Sequence, residues 1–142
     1  MGLDLYLFKV ESGGDPREGG IVDELCYGRK TWALANYFAL RATPVDEYYF
    51  KISKNLWNEF IDLIHPYASC RPFYKMVTGP DLITDDEYAA IERFLDNTLH
   101  HDDPYQLGVI WEARVVMDWY DSDGKVQSAF IDGYDIWMCM SY

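Results

Sequence analysis

The chain opens on a strict alternation. Leu3, Leu5 and Leu7 interleave with Asp4, Tyr6 and Phe8. A period of two sends successive side chains to opposite faces of a strand. Residues 2–10 are therefore read as a strand that joins a sheet. The same period recurs twice. Tyr48, Phe50 and Ile52 alternate with Tyr49 and Lys51, which predicts a short strand over 47–52. Leu107, Val109, Trp111, Ala113, Val115, Met117 and Trp119 alternate with Ile110, Glu112, Arg114, Val116 and Asp118, which predicts a long one. Asp121-Ser122-Asp123-Gly124 then reads as a hairpin turn with glycine at a position of positive φ. Residues 126–131 return, Asp132-Gly133 turns again, and 134–140 form the last strand.

Between these segments the period changes to that of a helix. Residues 25–41 include Trp32-Ala33-Leu34-Ala35-Asn36-Tyr37-Phe38-Ala39-Leu40, apolar around most of a helix circumference. Such a helix is either central or covered by a second copy of the chain. Residues 53–65 put Leu56, Trp57, Phe60, Ile61, Leu63 and Ile64 on one face, with Pro66 as the stop. Thr84-Asp85-Asp86-Glu87 is a capping box, and Tyr88, Ile91, Leu95 and Leu99 follow on one face. Glu11 to Gly20 and residues 66–83 read as irregular. The expected fold is α+β. It has an antiparallel sheet made of the N-terminal strand, the short middle strand and a C-terminal three-stranded meander. About three helices pack mainly on one face.

At 142 residues the chain is one domain, 1–142. Its charge is lopsided. Residues 1–80 carry ten acidic and nine basic side chains, whereas residues 81–142 carry fourteen and three. A net charge of −12 argues against direct binding of nucleic acid or of an anionic membrane, since both attract positive potential. No apolar run approaches the ~20 residues of a membrane span. No basic segment with an apolar core opens the chain, so no signal peptide is expected. Cys26, Cys70 and Cys139 are an odd, widely spaced set, which fits a reducing, cytoplasmic setting.

Motifs for chemistry are sparse. His100-His101-Asp102-Asp103 has ligand types but adjacent spacing, and neighbours at a helix end rarely converge on a metal. In a calcium-loop alignment that puts Gly124 at the sixth position, Trp119 and Phe130 fall where carboxylates are needed. There is no Gly-x-Ser-x-Gly elbow, phosphate loop or dinucleotide fingerprint. No metal, cofactor or catalytic residue is expected. One basic feature stands beside an aromatic: Tyr27, Arg29 and Lys30. With Asp4 and Tyr6 it would form a pocket for a small anionic molecule or a nucleotide.

The acidic half supports a different expectation. Asp118, Asp121, Asp123, Asp132 and Asp135 interleave with Trp119 and Trp137. Carboxylates spaced along strands and turns imitate phosphates, and rings between them add contact energy. The competing arrangement is that the rings are core and the aspartates solvated, as alternation on a half-wet sheet predicts.

Met1-Gly2-Leu3-Asp4-Leu5-Tyr6-Leu7 resembles the opening of a family of small proteins from bacteriophages and prophages. The similarity continues in Glu24-Leu25-Cys26-Tyr27-Gly28-Arg29-Lys30 and in Glu47-Tyr48-Tyr49, over about the first 65 residues. Family members carry an aromatic where this chain has Gly28. The resemblance implies a phage origin, action in the host cytoplasm and a part in phage–host conflict. Small acidic phage proteins of this kind look like inhibitors of host defence, including DNA-mimic and anti-CRISPR types. The expected partner is thus a basic host protein, nucleic-acid-binding or part of a defence complex. A homo-oligomer through the 25–41 helix is the further expectation.

Overall fold

A computed structural model describes residues 3–68, 83–99 and 108–141. The fold is α+β, built on a five-stranded antiparallel sheet. Strand β1 (Asp4–Val10) pairs on one side with β2 (Ile21–Arg29) and on the other with β5 (Asp135–Ser141). Strand β5 pairs onward with β4 (Tyr49–Ile52), and β4 with the two-residue β3 (Thr43–Pro44). The spatial order is β2-β1-β5-β4-β3, so the chain's two ends meet in the middle of the sheet.

The helices are α1 (Trp32–Ala39), α2 (Lys54–Ala68), α3 (Asp85–Thr98), α4 (Val109–Asp121) and α5 (Asp123–Ile131). They pack on the face formed by Leu3, Leu5, Leu7, Phe50, Ile52, Ile136, Met138 and Met140. Trp57, Phe60, Phe38 and Trp119 meet there ring to ring, with Phe38 5.0 Å from Phe60 and 5.8 Å from Trp119 between centroids. Such contacts add to what area burial already provides. The capping box of α3 is complete: Glu87 N donates to Thr84 Oγ1, and Thr84 N donates to Glu87 Oε1.

Four expectations are corrected. The C-terminal three-stranded meander does not form, since residues 109–121 and 123–131 are helices and only β5 is extended. Nine of the thirteen residues in 109–121 are apolar, so the alternation is matched equally by a helix burying Val109, Glu112, Ala113, Val116 and Trp119. Asp121-Ser122-Asp123-Gly124 is the joint between the two helices. Ser122 ends α4 and starts α5, and its αR backbone (φ −77, ψ −1) keeps the helical path.

The expected 25–41 helix is also divided. Residues 21–29 are the edge strand β2, joined to β1 by the 11–20 loop, and only Trp32–Ala39 is helical. Ala33, Leu34, Ala35, Tyr37 and Phe38 are buried in the chain's own core, which accounts for the apolar circumference without a second copy. Finally, α2 runs through Pro66 to Ala68. The proline sits in the last turn, where it disrupts little helix beyond it.

Candidate functional site

The second face of the sheet carries the side chains that the core does not use. Across the strands, Tyr27, Tyr6, Cys139 and Tyr49 are consecutive partners in register. Phe8, Trp137 and Lys51 form the next row. None of Tyr6, Phe8, Tyr49, Trp137 or Cys139 belongs to the helix-side core cluster. Alternation along β1 dictates this: once Leu3, Leu5 and Leu7 face the helices, Asp4, Tyr6 and Phe8 must face away.

The 11–20 loop folds over one end of this face. Gly13 N donates to the Asp135 carboxylate at 3.1 Å. Arg17 binds Asp15 through Nε and a terminal nitrogen, and binds Asp46 Oδ2 through the other at 2.8 Å. Its guanidinium stands 5.9 Å from the Tyr49 ring centre. The guanidinium bonds hold the Asp15 carboxyl down at about 2, and backbone amides of Tyr48 and Tyr49, with Arg17, lower Asp46. Lys51 pairs with Asp135 at 3.3 Å. Trp137 is only 5% exposed on this side of the sheet.

The other end is open. Tyr27 OH donates to Asp4 Oδ1 at 2.7 Å, and Arg29 Nε stands 3.9 Å from the same oxygen. Tyr6 lies 5.2 Å from Tyr27 and stacks on Phe8 at 5.6 Å between centroids. Partial burial, with Asp4 and Glu24 nearby, raises the Tyr6 phenol. The hydrogen bond to Asp4 raises Tyr27. Asp4, Tyr6, Tyr27 and Arg29 are thus neighbours, as the sequence reading grouped them. Lys30 is the one member that leaves the strand, with φ 58 in the left-handed region. Two carboxylates, Asp4 and Glu24, and two cations, Arg29 and Lys30, thus lie at this end of the β1–β2 pair.

The C-terminal residues are dispersed. Asp118 and Asp121 are exposed on α4, on the helix side of the sheet, whereas Asp135 is on the opposite face. Asp123 accepts from Trp57 Nε1 at 2.8 Å and from Gln127 Nε2 at 3.1 Å, tying α5 to α2. Asp132 is exposed just after α5. Trp119 is fully buried and Trp137 nearly so, so neither ring stands between exposed carboxylates. The exposed rings among the described residues that sequence reasoning passed over are Tyr48, Tyr88 and Trp111. Trp111 Nε1 donates to the Arg29 carbonyl at 2.6 Å, so α4 closes that end of the β2 edge.

Two cavities open among the described residues. One of about 310 Å³ is lined by Tyr48, Tyr49, Cys139, Met140 and Ser141. The other, of about 350 Å³, has Lys9, Asp23, Lys125 and Ser128 on its walls. Burial raises the Cys26 thiol to about 11 and pushes the Cys139 thiol up, so both are protonated and poorly nucleophilic at neutral pH. Among the described residues no group of three or more His, Cys, Asp or Glu side chains could hold a metal ion. The His100-His101-Asp102-Asp103 run and Cys70 lie outside the described residues. No described helix is long and apolar enough to cross a membrane. No family profile, curated protein or solved structure matches the chain.

Proposed function

We propose that this chain is a small acidic interaction protein that inhibits a basic host protein, nucleic-acid-binding or part of a defence complex, by covering its basic surface. Its phage-type character rests on the resemblance of the first 65 or so residues. The contact surface in this reading is the open end of the sheet face, in place of the C-terminal aspartates and their rings.

One observation carries the reading: Tyr6, Phe8 and Tyr27 stand outside the core on a face that no described helix packs against, with Asp4 and Glu24 beside them. Rings held rigid by strands lose little entropy on contact, and carboxylates among them select a positive partner. The net charge of −12 steers the same class of partner over longer distance and repels nucleic acid itself.

The test is retention of bacterial lysate proteins on the immobilised chain at low and high salt, followed by displacement of DNA from the retained protein. A basic nucleic-acid-binding protein that is released as salt rises, and that loses its DNA to the chain, supports the reading. Ion pairs at a surface are screened over roughly 8 Å at physiological ionic strength. Retention indifferent to salt, or no competition with DNA, overturns it.

A further inference from the structure

The chain contains a worked example of how its sheet face holds a cation. Arg17 is gripped side-on by Asp15, bonded at its far end by Asp46, and set over the Tyr49 ring. A planar guanidinium suits that combination: it takes two carboxylate oxygens in its plane and offers its flat face to a ring. Two other rings in the molecule also carry cations, Tyr134 beneath Lys9 at 4.1 Å and Tyr37 beneath Arg41 at 4.2 Å.

The open end of the same face repeats the parts without the cation. Tyr6 and Tyr27 are opposite each other in register, 5.2 Å apart between centroids. Among the described residues no cation stands over either ring. Asp4 is turned toward them by the Tyr27 hydroxyl, which uses Oδ1. Among the described residues Asp4 Oδ2 accepts no hydrogen bond. Arg29 stands 3.9 Å from Oδ1, beyond hydrogen-bond length, with its side chain 59% exposed. Glu24 adds a second carboxylate near Tyr6, opposite Phe8 in register.

We infer that Asp4, Tyr6, Glu24 and Tyr27 form a seat for an arginine side chain of the partner protein. The guanidinium bonds the Asp4 carboxylate and lies on the tyrosine rings, as Arg17 does at the other end of the face. Arg29 is then a competitor for Asp4, not part of the grip. This rests on the interaction reading above and names what that surface recognises. A lysine partner gains less, because its ammonium is a compact, strongly hydrated point charge that neither spans the carboxylate nor stacks.

Two short Gly-Ser peptides, one with three arginines and one with three lysines, test the inference by nuclear magnetic resonance titration. The arginine peptide shifts the Tyr6 and Tyr27 ring signals and binds roughly fivefold more tightly than the lysine peptide. Asp4→Asn and Tyr27→Leu each weaken the arginine peptide by a similar factor. Arg29→Ala strengthens it, whereas at an anion site that change would weaken binding. Because Arg29 is exposed, this last variant separates the two signs without disturbing the core. Equal affinity for the two peptides, weaker binding in Arg29→Ala, or shifts centred on Asp118 and Asp121 would overturn the seat. Shifts at Asp118 and Asp121 with salt-sensitive binding leave a basic partner standing but move its contact off the sheet face, while binding of neither peptide sinks both.

Discussion

Tyr27 reaches across the β1–β2 pair to donate a 2.7 Å hydrogen bond to Asp4, and the bond exists only while the phenol keeps its proton. Tyr6, Tyr37 and Tyr49 are raised as well, each chiefly by burial. A phenol that holds its proton longer in the folded state stabilises the fold fully below its unfolded value, near 10.0. That contribution is lost as pH climbs through the folded values. Stability is therefore expected to fall above about pH 10. Tyr27→Phe removes one of these groups, so its urea midpoint should drop less than the wild type's between neutral pH and about pH 11. An identical drop in both proteins would show that Tyr27 does not contribute.

The Arg17 clamp has the opposite pH dependence. Asp15, at about 2 when folded against an ordinary 3.8, and Asp46, also lowered, favour the native loop only while ionised. That preference is present above the unfolded value and disappears as pH falls through the folded one. Amide hydrogen exchange over 13–20 should therefore quicken between pH 3.8 and about 2 relative to the β1–β5 pair. Arg17→Ala should show the fast loop exchange already at neutral pH. Loop protection that survives in Arg17→Ala would assign the loop's order to Pro16 and the Gly13–Asp135 bond instead.

What could be read from the sequence follows how local each signal is. The β1 alternation and the Thr84–Glu87 box are settled by residues within a few positions of one another, and they appear where expected, whereas Asp132-Gly133 turns the chain out of a helix and not out of a strand. Residues 109–121 are apolar at so many positions that period cannot choose between strand and helix; Phe38, Trp57 and the sheet decide by burying one side. Strand β2 is equally non-local, since Ile21, Val22, Asp23 and Glu24 are exposed and β1 supplies the pairing. At the candidate site the grouping of Asp4, Tyr6, Tyr27 and Arg29 was legible. The place of Glu24 beside Tyr6, and the separation of Arg29 from Asp4, were not, because both depend on the pairing of β1 with β2.

Glu112 is a buried carboxylate with a structural task. It is 3% exposed, and its Oε1 accepts from Ala33 N at 2.7 Å, meeting one of the unpaired donors at the start of α1. Thr31, at the cap position, makes no side-chain cap bond there. Glu112→Ala leaves the Ala33 donor buried and unmet, a cost of about 1–3 kcal/mol. Glu112→Gln keeps a carbonyl oxygen at that place and should lose less. Urea unfolding with an unchanged m-value measures both. Equal losses in the two variants would mean that the charge, and not the acceptor, matters.

At Gly28 the helix α4 lies close against β2. Its backbone is ordinary strand, so alanine would meet no conformational penalty there. The obstacle is contact: an added Cβ would stand 2.6 Å from Val115 Cγ1, 3.2 Å from Thr31 Oγ1 and 3.4 Å from Trp119 Nε1. Val115 is β-branched on a helix, so its χ1 cannot swing aside cheaply. Gly28→Ala is expected to cost about 1–3 kcal/mol as overpacking. Val115→Ala alone should also destabilise, by removing buried methyl groups. Combined, the two should cost less than the sum of the single changes, by at least ~0.5 kcal/mol, since the shortened side chain makes room for the new methyl. Additive losses would show that β2 and α4 part to admit the methyl, and that Gly28 does not set their spacing.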